Sequence, residues 1–197
     1  VLGNPVADAL LASYEHATTA RAKSYNPDFY GISQKSSEWL AHFGINAKGI
    51  IQNAIDAPAF RGGASSRDFR SELGFAPDDV VVAFCGRLVP EKGADALVRA
   101  GVILAGEGAT GGRVRLVFAG NGPMRTQLES EIAAKLPANG PVTAHLLGNT
   151  ASTDLAALFQ QSNLFCLPTR SEGFCTSLLE ASACALPSII PDVGGAR

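Results

Sequence analysis

From Val80 onward the chain alternates between two hydropathy patterns. Short runs that are apolar on consecutive positions, Val80–Gly86, Val114–Gly120, Val142–Gly148, Leu164–Thr169 and Ser188–Pro191, read as strands. The segments between them, Ala94–Glu107, Pro123–Leu136, Ser152–Gln161 and Thr176–Ala185, read as helices, because their apolar residues recur at helical spacing, as in Leu97, Val98, Gly101 and Leu104. Strands apolar on both faces and separated by helices predict a parallel sheet covered on both sides, a doubly wound α/β fold. The punctuation agrees: Gly86, Gly120 and Gly148 each close a strand, Pro123 falls where a first helical turn tolerates proline, and Ser152 with Asp154 is placed to cap the next helix. Such sheets bind ligands outside the carboxyl ends of their strands, at a topological switch point. The loops after the strands are therefore where chemistry is expected.

Residues 1–58 read differently. Asp8–Lys23 patterns as a helix, Asp28–Ser33 as a strand, Ser36–Phe43 as a helix and Lys48–Gln52 as a short strand before Asn53. Phe60–Ser66 is polar and glycine-rich, suited to a link, and Ser66–Leu73 suits a short helix. The expected organisation is the tail of a preceding domain with its linker over 1–58, then an α/β domain over 59–197.

Composition narrows the function classes. Apolar residues are 46% of the 197 and charged ones 17%, which excludes low-hydrophobicity disorder for the bulk of the chain. With 16 Lys and Arg against 18 Asp and Glu, net charge −2, no broad basic field exists to attract nucleic acid or anionic lipid. A bound anion must be held locally. Cys85, Cys166, Cys175 and Cys184 include no C-x-x-C pair, which points to a reducing compartment, and His16, His42 and His145 are far apart in sequence, so no metal site is expected. No signal-peptide pattern opens the sequence and its apolar runs are too short to span a bilayer. A cytoplasmic location is expected.

Two loops carry candidate chemistry. The first, Gly86 to Gly93 (G-R-L-V-P-E-K-G), places Arg87 and Lys92 on a strand-to-helix turn, a planar fork and a point charge suited to a diphosphate, with glycines that admit close backbone approach. The second runs from Pro168 through Glu172, Gly173, Phe174 and Cys175 to a helix starting near Thr176 and Ser177. The hydroxyls and free N–H groups at that positive helix end form an anion site needing no net basic charge. Glu172 precedes this terminus and Glu180 follows Thr176 by about 6 Å along the axis. Carboxylates accept hydrogen bonds, so the two acids suit sugar and ribose hydroxyls. Gly120-Asn121-Gly122-Pro123 also follows a strand, but Arg125 stands where a dinucleotide fingerprint has its third glycine, which disfavours a nicotinamide enzyme. His145 reads as structural, Cys175 as a small filler, and Trp39 as core or a domain contact.

Together these residues resemble the carboxyl-terminal half of the group 1, or family 4, retaining glycosyltransferases of the GT-B fold. The resemblance rests on N-A-I-D at Asn53–Asp56 with Phe60, G-R-L-V-P-E-K-G at Gly86–Gly93, A-G-N-G-P at Ala119–Pro123 and L-G-N at Leu147–Asn149. It continues with the E-x(7)-E block from Glu172 to Glu180 and the tail Pro187–Arg197. It implies a Rossmann-like donor domain holding a nucleotide-diphosphate sugar of UDP or GDP type, with no cofactor and no metal, consistent with the lack of a D-x-D triplet. It assigns Arg87 and Lys92 to the diphosphate, Glu172 to the sugar hydroxyls and Glu180 to the ribose. The backbone of Gly173, Phe174 and Cys175 would line the sugar, Thr176 and Ser177 would donate to phosphate, and Gly86 would allow close approach. Arg87, Lys92 and Glu172 are the expected catalytic set, acting with retention at the transferred sugar.

Ala54 stands where that family usually has glycine, and Cys175 and Thr176 occupy positions variable in it, which leaves the sugar unspecified. The acceptor side belongs to an amino-terminal half of which 1–58 would be a remnant, and the family continues past Arg197, so a truncated chain, inactive alone, is expected. Its partners would be the sugar nucleotide and the missing acceptor domain, with peripheral membrane contact through the full-length enzyme. Two alternatives share the pocket: a sugar-nucleotide epimerase, and a non-catalytic nucleotide-sugar-binding module.

Overall fold

The computed structural model describes residues 4–25, 28–108 and 112–194. They form two compact units divided between Asn53 and Ala54.

In the first unit, helix α1 spans Pro5–Tyr25, strand β1 Tyr30–Gly31, helix α2 Gln34–His42 and strand β2 Gly49–Ile50. Helix α1 begins before Asp8 because the Asn4 side chain accepts from the N–H groups of Val6 and Ala7, with Pro5 in the first turn. Helix α2 is fixed by a capping box in which Ser33 and Ser36 bond reciprocally. Strands β1 and β2 pair in parallel over two residues each, far shorter than the strands expected at Asp28–Ser33 and Lys48–Gln52. Phe43 and Ile45 are the buried apolar residues here, while α1 buries none. Trp39 is exposed and packs edge-on against Phe43, and His16 and His42, far apart in sequence, bring their rings to 5.7 Å.

The second unit opens with helix α3, Ala57–Gly62, and helix α4, Phe69–Glu72. The first three residues of the stretch expected to be a link, 60–62, are thus helical. Asp56 accepts from the Ala59 N–H and Pro58 lies in the first turn, a cap signal that outweighs Gly62 and Gly63 at the far end. There follow β3 Val80–Cys85, a single 3-10 turn at Pro90–Lys92, α5 Ala94–Gly106, β4 Val114–Ala119, α6 Arg125–Lys135 and β5 Val142–Gly148. Helix α7 Ser152–Gln161, β6 Leu164–Cys166, α8 Thr176–Ala183 and β7 Ser188–Ile189 complete it. Two punctuation marks act otherwise than expected. Pro123 lies in the turn ahead of α6, and α7 starts from Ala151 without a side-chain cap, since Ser152 is already helical and Asp154 instead accepts from Arg67.

All strands of the second unit pair in parallel, in the order β5-β4-β3-β6-β7. Helices α5 and α6 pack on one face, α3, α7 and α8 on the other. This is the doubly wound Rossmann-like sheet expected from the continuous apolar runs. Its core is Ala83, Phe84, Val117, Phe118 and Phe165 from the strands, with Val98, Leu128, Leu158 and Phe159 from the helices. The chain builds outward from β3 to β5, then returns to lay β6 on the other side of β3. The switch point is therefore the crevice between the carboxyl ends of β3 and β6.

Candidate functional site

Both candidate loops arrive at that crevice. The loop after β3 ends at Gly93, whose backbone is left-handed, φ +72°, and which opens α5. A Cβ on Gly93 would lie 2.1 Å from the Pro168 carbonyl oxygen, so only glycine lets the two loops close on each other. Thr169 Oγ1 donates to the Glu91 carbonyl at 3.0 Å, the Arg170 N–H donates to the same oxygen at 2.7 Å, and Arg170 Nη1 donates to the Pro90 carbonyl at 3.1 Å. Leu167 N–H still donates to the Ile189 carbonyl, and the bonds of Thr169 and Arg170 to the other loop are why β6 ends before Thr169. Gly120, φ +143°, packs against the Gly86 carbonyl in the same way, and Leu88 N–H donates to Asn121. Three loops are thus tied into one floor.

On this floor Lys92 Nζ donates to Glu172 Oε1 at 2.6 Å, joining residues assigned separately to phosphate and to sugar. Their side chains are 23% and 4% exposed. The ammonium has three donors and the carboxylate several acceptor positions, so one shared bond leaves both with capacity for a ligand. Arg87 is exposed, and its guanidinium makes no hydrogen bond or ion pair among the described residues. Gly86 is half-buried at the end of β3.

Helix α8 starts at Thr176, as its sequence suggests, with the buried Cys175 at its N-cap and no side chain capping the free N–H groups. Thr176 and Gly173 are exposed, and Phe174 and Ser177 half-buried. Glu180, one turn further on, is half-buried, and among the described residues its carboxylate takes no hydrogen bond or ion pair. Burial pushes its pKa up. It faces the end of β3, where burial first and then the Glu180 charge push the Cys85 thiol up to about 12. A half-buried acceptor without a donor suits hydroxyl groups supplied from outside.

Sequence reasoning missed several members of this arrangement. Thr169 and Arg170 tie the loops together, and a polar residue straight after a strand at the switch point was the available signal. Asp95, near the start of α5, accepts from Arg99 at 2.7 Å and lies 3.6 Å from Arg170, anchoring the latch from below. Gly194, φ +55°, takes the tail close over Glu172, where a Cβ would meet the Glu172 carbonyl at 1.8 Å. The last residues of the tail motif, 195–197, lie outside the described residues. Among the described residues no three His, Cys, Asp or Glu side chains gather to hold a metal, the four cysteines are free thiols, and no helix is long and apolar enough to cross a membrane.

Comparison with known proteins places this geometry in context. A sequence model of the family described as glycosyl transferases group 1 matches residues 65–197. The D-inositol 3-phosphate glycosyltransferases of Mycobacterium tuberculosis and Mycobacterium bovis are each 36% identical over 151 residues, covering 74% of this chain and 29% of theirs. The chain thus spans under a third of the length of these curated relatives. Among solved structures, Anabaena HepE in complex with UDP and glucose superposes with a TM-score of 0.73 at 23% identity, covering 91% of this chain and 48% of that one. Sucrose-phosphate synthase from Thermosynechococcus elongatus gives 0.64 at 22% identity, covering 85% and 41%. At these identities the structures speak to the fold alone.

Proposed function

Because the chain belongs to the group 1 glycosyl transferases, we propose that its second unit is the donor-binding half of a retaining transferase. Its donor would be a nucleotide-diphosphate sugar, of UDP type in preference to GDP. The reading is carried by one observation. Two loops 80 residues apart meet through Lys92 and Glu172 at the switch point, and the second leads into a helix whose first N–H groups no side chain caps. HepE, which shares this fold, is known in complexes with UDP and UDP-glucose, ligands of the class proposed here.

In this reading Arg87 and Lys92 hold the diphosphate, and the hydroxyls and N–H groups of Thr176 and Ser177 complete the cradle. Glu172 accepts from sugar hydroxyls, Glu180 accepts from the ribose, and the backbone of residues 173–175 lines the sugar. As the bond from the anomeric carbon to the diphosphate breaks, negative charge grows on the leaving oxygen. Two cations and a helix end stabilise that charge without help from a metal. Lys92 bridges the two ends of the reaction, touching the leaving group with one donor and fixing Glu172 with another.

The acceptor would be bound by a further amino-terminal portion. A reducing, cytoplasmic setting accords with the four free thiols. The 197-residue chain should bind a sugar nucleotide weakly and transfer nothing. Calorimetry with UDP, GDP and ADP sugars tests this, with UDP sugars expected to bind. Absence of binding by all three would refute the donor assignment, and turnover of a donor by this chain would refute the expectation that it transfers nothing.

A further inference from the structure

We propose a second ligand site at the opposite, amino end of the sheet, where Arg113 and Arg115 take a carboxylate or phosphate group of a small organic molecule. A concavity of about 280 Å³ opens there, lined by Phe75, Arg113, Arg115, Asn139, Thr143 and His145 among others. No carboxylate lines it, so its ionised groups are the two arginines.

Arg115 makes this site unusual. It stands in β4 beside Thr143 of β5, with its side chain 7% exposed, far from the typical solvated arginine. Its Nε donates to Asp79 Oδ2 at 2.7 Å and its Nη1 to Thr143 Oγ1 at 3.1 Å. Nη2 has no partner among the described residues, and it is not sealed from solvent, since Asp95 Oδ1 is the one buried polar atom without a partner among them. A donor-rich guanidinium held rigid on two sides and open on the third is prepared for an oxyanion.

The surroundings match that ligand. Asp79 balances the Arg115 charge, and the exposed Arg113 side chain makes no hydrogen bond or ion pair among the described residues, although its charge helps to hold the Asp79 carboxyl low. The Asn139 amide adds neutral donors. Phe75 supplies an apolar wall, edge-on to His145 at 5.1 Å and under the Arg115 guanidinium at 5.8 Å. Burial, then the Arg115 charge, holds the His145 pKa below its ordinary value, and its Nε2 lies 3.0 Å from Thr143 Oγ1. A buried ion pair is a poor device for stability compared with apolar packing. Placing one here, on an arginine that lines a cavity and keeps a donor spare, is explained by recognition. The site lies on the order of 15 Å from the donor crevice, along β4.

The test is a titration of the 197-residue chain with sodium phosphate and, separately, sodium acetate at constant ionic strength, following the arginine Nε–H resonances. The Arg113 and Arg115 signals should shift saturably with at least one of the two anions. Arg113→Gln, at an exposed position, should weaken that response about tenfold, and Arg87→Ala should leave it unchanged. Response to one anion alone assigns its chemistry to the site, and response to both assigns a general oxyanion site. Shifts that never saturate, or a saturable response that survives Arg113→Gln intact, would overturn the proposal.

Discussion

At the carboxyl end of the sheet Lys92 meets Glu172 at 2.6 Å, and at the amino end Arg115 meets Asp79 at 2.7 Å, yet the two pairs are built for different work. Lys92 and Glu172 belong to loops, bridge the switch point and join segments whose backbones are pinned by glycines and by the Thr169 and Arg170 bonds to Glu91 and Pro90. Arg115 is a strand residue, and its partner takes a further bond from the Ala76 N–H, so this pair is woven into the start of the sheet. One pair sits where chain elements converge on open space. The other closes the fold and leaves a single donor over. The first pair can meet a ligand through both partners, whereas the second can do so only through the donor that Arg115 has left over.

Substitutions sharpen the contrast. The largest effect should come from Asp79→Ala, which strands the Arg115 charge in the interior and should cost about 3 kcal/mol in chemical denaturation. A loss no greater than that of an ordinary surface change would show the amino-end pair to be dispensable and erase the distinction. Next, Gly93→Ala forces a Cβ against the Pro168 carbonyl on a left-handed backbone, and should lose about 2 kcal/mol while also weakening UDP binding. Neutral behaviour would mean that the two loops are not held as closely as described. Arg87→Ala should leave stability within about 0.5 kcal/mol, because the side chain is exposed and unpaired. The smallest effect concerns pH. The folded-state pKa of His145 lies below 6.5, so between the two values the unfolded chain binds more protons. Its contribution is present above 6.5 and is lost as pH falls through that window. His145→Gln should flatten a shallow fall in stability on acidification, and a slope identical in both proteins would contradict the burial assigned to His145.

Much of the second unit was legible because its strands are buried on both faces. Val142–Gly148 and Ser152–Gln161 stand where the apolar pattern put them, and α8 begins at Thr176. The two loops were legible as cation and acid clusters, since charged residues and glycines right after apolar runs carry a strong local signal. Their direct contact was not. Lys92 and Glu172 are 80 residues apart, and only the return of the chain to lay β6 beside β3 brings them together. Helix α3 was hidden by Gly62 and Gly63, although the Asp56 cap and Pro58 announced it. The Arg115 network was equally hidden, because a lone arginine within VRLVFA gives no hint that Asp79 and Thr143 will flank it. In the first unit, β1 and β2 came out shorter than read, with pairing confined to Tyr30, Gly31, Gly49 and Ile50.

A nucleotide diphosphate is expected to seat at the switch point between β3 and β6. This is tested most directly by calorimetric titration of UDP into the wild-type chain, Arg87→Ala and Arg113→Gln. The account predicts saturable binding that Arg87→Ala weakens by about 1.5–3 kcal/mol, with Arg113→Gln indistinguishable from wild type. Equal affinity in wild type and Arg87→Ala, or a loss confined to Arg113→Gln, would contradict it.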